Sequence, residues 1–178
     1  SVNLSAADLL DPSLPREVQE GLERNGVPAS ALIIELTETS VISDPVRVGD
    51  VLGQLGDLGV GLSLDDFGTG YSSLTHLRTL PVGEVKIDRA FVARMGSNAA
   101  DQAIVRATIN LSHDLGKRVV AEGVEDEETW QLLAELGCEL IQGYAFSPPL
   151  PAEELTPLLA SARPALSPLA GELAPAAG

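Results

Sequence analysis

The 178-residue chain is 44% hydrophobic and sets 26 Asp and Glu against 11 Lys and Arg, a formal net charge of −15. That length and apolar content suffice for one buried core and exclude disorder along the whole chain. The acidic balance argues against a backbone binder of DNA or RNA and against a protein docked on an anionic leaflet.

No signal peptide opens the chain, and no apolar run approaches the roughly 18 residues of a membrane span. A start at Ser1 without Met leads us to expect a piece of something longer. The short apolar run Val2–Leu4 predicts a first strand. Pro15–Arg24 carries Val18 and Leu22 at i, i+4 and predicts a helix, and Ala31–Leu36 a second strand. Pro45–Leu58 places Val48, Val51, Leu52 and Leu55 at i, i+3, i+4, i+7, with Pro45 suited to a first helical turn. Val60–Leu64 and Glu84–Ile87 read as strands. Ala99–Leu115 is helical, with Ile104, Ala107, Thr108 and Leu111 on one face. Arg118–Ala121 is a strand, and Asp126–Leu136 a helix with an acidic first turn that ends at Gly137. Glu139–Ile141 is the last strand and Ala152–Ala162 the last helix.

Six strands nearly all separated by helices mean a parallel α/β sheet with crossover connections. An open doubly wound sheet and a (β/α) barrel both fit, and six units fall two short of a full barrel of about 250 residues. We expect residues 1–162 to form the domain. Residues 163–178, rich in Ala and Pro without an amphipathic face, are expected to be a disordered tail.

The acids fall at the strand ends. Ile33-Ile34 runs into Glu35, with Glu38 three residues on; Leu62-Ser63-Leu64 runs into Asp65-Asp66; Val85-Lys86-Ile87 runs into Asp88. Val119-Val120-Ala121 runs into Glu122, with Glu125 behind it, Ile141 into Gln142, and Val2 into Asn3. In parallel α/β folds that rim carries the site. Any single acid in a chain this acidic is most simply a solvated surface group, but repetition at six strand ends weakens that reading. Four or five carboxylates on one rim repel by several kcal/mol at an intermediate dielectric, and a cation among them turns repulsion into binding. One Cys and two His exclude an intrachain disulfide and argue against zinc, so hard oxygen ligands point to Mg²⁺ or Mn²⁺. Adjacent Asp65 and Asp66 suit two ions about 4 Å apart, the arrangement for in-line attack of water on a phosphodiester. Lys86, the lone base among these acids, is placed to hold the attacking water or a phosphate oxygen.

Other features carry less. Asp66-Phe67-Gly68 imitates the kinase magnesium triplet, but no HRD loop or VAIK-like strand precedes it. Gly59-Val60-Gly61 precedes a strand, the wrong side for a dinucleotide fingerprint. The polar loop Gly68–Ser73 leaves the rim just after two candidate ligands, a position suited to a lid. Cys138 reads as a small buried thiol, and His76 and His113, in helical stretches, are assigned no role.

The strings Val2-Asn3-Leu4-Ser5, Glu35-Leu36-Thr37-Glu38, Asp65-Asp66-Phe67-Gly68-Thr69-Gly70-Tyr71-Ser72-Ser73-Leu74, Val85-Lys86-Ile87-Asp88, Ala121-Glu122-Gly123-Val124-Glu125 and Gln142-Gly143-Tyr144 follow in this order. In this order and spacing the chain resembles the EAL domains, bacterial phosphodiesterases of the second messenger cyclic di-GMP, over about residues 1 to 160. The resemblance implies a TIM-type (β/α)₈ barrel, here incomplete at about six of eight units, and hydrolysis of cyclic di-GMP to linear pGpG with two Mg²⁺ or Mn²⁺ ions. It implies that Asn3, Glu35, Asp65 and Asp66 hold metal, and that Lys86 touches the catalytic water. By the same resemblance Glu122 binds metal or acts as base, and Gln142 supports the water network. Glu38 would anchor the glycine loop that couples dimer contact to activity, and Asp88 would lie on the rim near substrate.

One departure stands out: the Glu-Ala-Leu string that names the family is absent, and with it one ligand carboxylate. The resemblance therefore implies a truncated domain, inactive or nearly so alone. Retention of Asp65, Asp66, Lys86 and Glu122 favours hydrolysis over the alternative, a degenerate domain that senses cyclic di-GMP or contacts a protein. It further implies a homodimer, an upstream sensory or GGDEF-type domain in the parent chain, no nucleic-acid partner, and a cytoplasmic location even where the parent is membrane-anchored.

Overall fold

Strands β1 (Val2–Leu4), β2 (Ile33–Thr37), β3 (Gly61–Phe67), β4 (Glu84–Ile87), β5 (Arg118–Glu122) and β6 (Leu140–Gln142) form one sheet in which each strand pairs, parallel, with the next in sequence. The computed structural model describes residues 1–42, 44–68 and 74–161. A doubly wound sheet reverses its strand order partway and places helices on both faces. Here the order never reverses, so right-handed crossovers return the helices between successive strands to the same face and the sheet curls around the other. The fold is an incomplete TIM-type barrel of six β/α units, with β1 and β6 at its open edges.

The helices are α1 (Ala6–Leu9), α2 (Leu14–Asn25), α3 (Glu38–Ile42), α4 (Pro45–Asp57), α5 (Leu74–Thr79), α6 (Arg89–Val92), α7 (Ala99–Asp114), α8 (Glu127–Glu135) and α9 (Ala152–Ser161). The longer ones match the apolar spacing, and side-chain caps set their starts. Asp44 accepts from Arg47 N ahead of Pro45 in α4, Asn98 from Ala100 N and Asp101 N in α7, and Asp126 from Thr129 N in α8. Helices α1, α3, α5 and α6 are a turn or little more, too short for any periodicity to announce. The second strand begins later than its apolar run suggests, because Ala29–Ala31 close a 3₁₀ turn first. The third runs beyond Leu64 to Phe67, taking Asp65 and Asp66 into the sheet. Helix α9 belongs to a separate unit that starts at Ser147. The tail expected from Arg163, the boundary before it and the loop residues 69–73 lie outside the described residues.

Strand alternation divides the two faces. Ile34, Leu36, Leu62, Leu64 and Val85 are buried against Val48, Val51, Leu52 and Leu55 of α4. Ile87, Val119 and Ala121 are buried with Val105 and Ile109 of α7 and Leu133 of α8. The residues between them in sequence, Glu35, Ser63, Glu84 and Lys86, are just as buried but polar, and they form the concave face. Near the amino ends of the strands Glu84 pairs in register with Arg118 at 3.3 Å. Just ahead of β5, Lys117 is 9% exposed and donates from Nζ to the Leu80 and Val82 carbonyls at 3.2 and 2.7 Å.

Candidate metal centre

Lys86 is the centre of the concave face. It lies on β4, is 3% exposed, and its ammonium is 3.1 Å from Glu35 Oε2, 3.3 Å from Asp65 Oδ1 and 2.6 Å from Glu122 Oε1. The three carboxylates come from β2, β3 and β5, so one side chain ties four strands of the sheet. Three ammonium protons face three acids. The described contacts of Lys86 are therefore to carboxylates, and a water or phosphate oxygen at Nζ would share or displace one of them. Part of the repulsion anticipated from sequence is met by this internal cation.

Asp66 reaches the cluster by a break in the strand. Regular alternation would turn Asp65 and Asp66 to opposite faces. The β3–β4 register shifts between Leu64 and Phe67, and Asp66 adopts a left-handed backbone with φ 55. This bulge-like irregularity re-aims the side chain, and one oxygen from each of Asp65, Asp66 and Glu122 then lies within 4.8 Å of the others. Phe67 returns to the apolar face, 6% exposed, opposite Ile87.

The titrations follow from these contacts. Burial pushes the Glu35 carboxyl up, but hydrogen bonds from Ser1 and Lys86 and the Lys86 charge outweigh it and hold the pKa low. Burial raises Glu122, against the hydrogen bond and charge of Lys86, and the net result is upward. Asp66 is raised by burial, then by the charges of Asp65 and Asp88 and by a hydrogen bond with Asp88. Burial lowers Lys86, yet Glu122 and Glu35 more than compensate and keep it protonated.

The other sequence candidates surround this group. Asn3 is the register partner of Glu35 at the exposed β1 edge, and Gln142 the register partner of Glu122 on β6. Glu38, buried, opens α3 immediately after β2 rather than lying among the carboxylates bound to Lys86. Asp88 caps α6, accepting from Ala90 N at 2.7 Å, while it bonds Asp66. Cys138 is partly buried and its thiol is pushed up to about 11 by burial. His113 pairs with Glu139 at 2.9 Å near the amino ends of β5 and β6 rather than at the carboxylate rim. Sequence reasoning passes over Arg89, whose guanidinium is 2.9 Å from Glu125 beside the rim. A pair 36 positions apart has no local signature in the sequence.

Glu35, Asp65, Asp66 and Glu122 against one ammonium leave the group strongly anionic when ionised. Closely spaced carboxylate oxygens without thiolate or imidazole suit a hard divalent cation, so these donors fit Mg²⁺ or Mn²⁺.

Residues 1–149 match the EAL domain family. The chain is 43% identical over 155 residues to the bifunctional diguanylate cyclase/cyclic di-GMP phosphodiesterase MucR of Pseudomonas aeruginosa, covering 87% of this chain and 23% of MucR. The crystal structure of the EAL domain of Mycobacterium smegmatis DcpA is similar at a TM-score of 0.84 and 40% identity, over 89% of this chain and 71% of that one. A manganese/cy-diGMP complex of Klebsiella pneumoniae BlrP1 is similar at a TM-score of 0.77 and 36% identity, over 83% and 38%. The chain spans between 20% and 26% of the length of the curated relatives it matches.

Proposed function

The chain belongs to the EAL domain family, and from that premise we propose that it is the catalytic part of a phosphodiesterase that opens cyclic di-GMP to linear pGpG with two Mg²⁺ or Mn²⁺ ions. The observation that carries the reading is the convergence of Asp65, Asp66 and Glu122 within 4.8 Å, with Lys86 joining Glu35 to the same group. MucR is named as a cyclic di-GMP phosphodiesterase, and the BlrP1 structure is a complex with manganese and the same dinucleotide; both support it.

In this reading Asn3, Glu35, Asp65, Asp66 and Glu122 hold the ions. Bound divalent ions would supply positive charge against the phosphodiester and lower the pKa of water. Water attacks phosphorus in line as the P–O3′ bond breaks, and the proton it loses ends on O3′. Glu122, an ion ligand or the base, would in the second role take up that proton first from its place beside Lys86. Lys86 orients Glu122 and Asp65 and stands next to the water; Gln142, in register with Glu122, supports it from β6. Glu38 anchors the glycine loop from the start of α3, and Asp88 borders the substrate.

The parent chain would act in the cytoplasm as a homodimer, joined to a sensory or GGDEF-type domain; among the described residues no helix is long and apolar enough to cross a membrane. The open sheet edges and the absence of a Glu-Ala-Leu string lead us to propose that the 178 residues alone turn over slowly or not at all. The test is liquid chromatography of cyclic di-GMP incubated with Mn²⁺ and the domain in its longer parent chain. Wild type should form pGpG, and Glu122→Gln should bind the dinucleotide while losing at least a hundredfold in turnover. Tight binding by wild type without pGpG would instead favour a cyclic di-GMP sensor.

A further inference from the structure

We propose that Arg89 is a positioning residue that holds the backbone behind Glu122 in place, an inference that rests on the reading of Glu122 as a site residue. Arg89 opens α6 directly after Asp88, and its aliphatic stem lies across Gly123, the residue after Glu122. A Cβ at Gly123 would come to 2.7 Å from Arg89 Cβ and 2.9 Å from Cδ, closer than real carbon atoms approach. Gly123 also has φ +67, a conformation that side chains rarely adopt. Glycine is thus required there twice, and one requirement is the arginine stem. Beyond Gly123 the Arg89 guanidinium reaches Glu125 at 2.9 Å.

The opposite side of the same three residues is closed by β6 and its exit. Val124 N donates to the Gln142 carbonyl at 3.2 Å, and Ala145 N donates to the Val124 carbonyl at 2.9 Å. A Cβ on Gly143 would meet the Val124 backbone, 2.7 Å from its carbonyl carbon. The segment Gly123–Glu125 is therefore gripped between the Arg89 stem and the backbone of Gln142 and Gly143, and Glu122 enters that grip with its carboxylate on Lys86. The dipeptide Asp88-Arg89 has two jobs: Asp88 bonds Asp66 on the β3 side and Arg89 covers Gly123 on the β5 side.

The side chains of Arg89 and Glu125 are 67% and 51% exposed, and an ion pair that open contributes little. The stem, not the charge, does the positioning. Loss of an outer partner of a metal site typically costs 10–100-fold in ion affinity or activity.

Mn²⁺ affinity by calorimetry, which needs no turnover, separates this inference from the hydrolysis reading. Arg89→Ala should weaken Mn²⁺ binding by about tenfold or more, while Arg89→Met, which keeps the stem, should stay within about threefold of wild type. In the hydrolysing parent chain, Arg89→Ala should lower kcat by about 10–100-fold with KM nearly unchanged. Gly123→Ala should damage Mn²⁺ binding less when combined with Arg89→Gly than when alone, because the Cβ and the rest of the stem that the new methyl would meet are gone. If that pattern holds in a protein that forms no pGpG, the positioning role stands and only the hydrolysis reading fails. Equal Mn²⁺ affinity for Arg89→Ala and wild type, or Arg89→Met as damaging as Arg89→Ala, would overturn the proposal.

Discussion

Asp66 concentrates the conflict between stability and ligand placement. Its left-handed φ of 55 is one that Asp tolerates better than most residues but that still costs energy. Its carboxyl is raised by burial and by the neighbouring charges of Asp65 and Asp88. A carboxyl raised in the folded state destabilises the fold above that pKa, and the cost is relieved as pH falls through it. At neutral pH the ionised Asp66 therefore works against folding. Asp66→Asn keeps the side chain's tolerance of φ 55 and removes the charge, so in the metal-free protein its Tm should rise above that of wild type at pH 7. The gain should shrink as pH falls through the raised pKa of the wild-type carboxyl; thermal scans without divalent ions at pH 7 and at successively lower pH check this. The acids at the rim were legible in sequence because strand ends followed by Asp or Glu recur. The turning of Asp66 onto the side of Asp65 was not, since strand alternation argues for opposite faces and only the backbone break between Leu64 and Phe67 overrides it.

Strands and long helices were legible from alternation, 3.6-residue spacing and caps, whereas the links between elements were not. Lys117 is the example: no pattern in the sequence marks it, yet it is buried and joins the turn ahead of β5 to the approach of β4 through the Leu80 and Val82 carbonyls. Burial lowers its pKa. A lysine depressed in the folded state is a cost at low and neutral pH that fades as pH rises through the folded pKa toward the ordinary value near 10.5. Its two hydrogen bonds offset that cost. Lys117→Met removes the charge but leaves two carbonyls without their donor, and should destabilise by about 1–3 kcal/mol at pH 7. The deficit relative to wild type should widen as pH approaches 10.5, because the wild type alone sheds a charge penalty. Urea unfolding of both proteins at several pH values measures the difference; a deficit that narrows over that range would contradict this account of Lys117.

On the scale of the whole molecule, the unbroken strand order is what gathers the charges. With the crossover helices on one face, apolar residues such as Ile34, Leu62, Val85 and Val119 face them, and the alternate positions meet one another. Glu35, Asp65 and Glu122 thereby converge on Lys86 from strands separated by up to 87 positions in sequence. The sequence pattern left a doubly wound sheet and a barrel equally open, since both alternate strands and helices; pairing order separates them and no local pattern encodes it. The central claim is that this convergence makes a site for divalent cations. A calorimetric titration of the 178-residue chain with Mn²⁺, wild type beside Asp65→Asn, tests it most directly. The substitution takes a charged oxygen from the centre of the group while keeping its shape, and a hard ion has few protein ligands to spare. Saturable binding by wild type and an affinity at least tenfold lower for Asp65→Asn is the predicted result; equal affinities would mean that the acids are only a solvated rim.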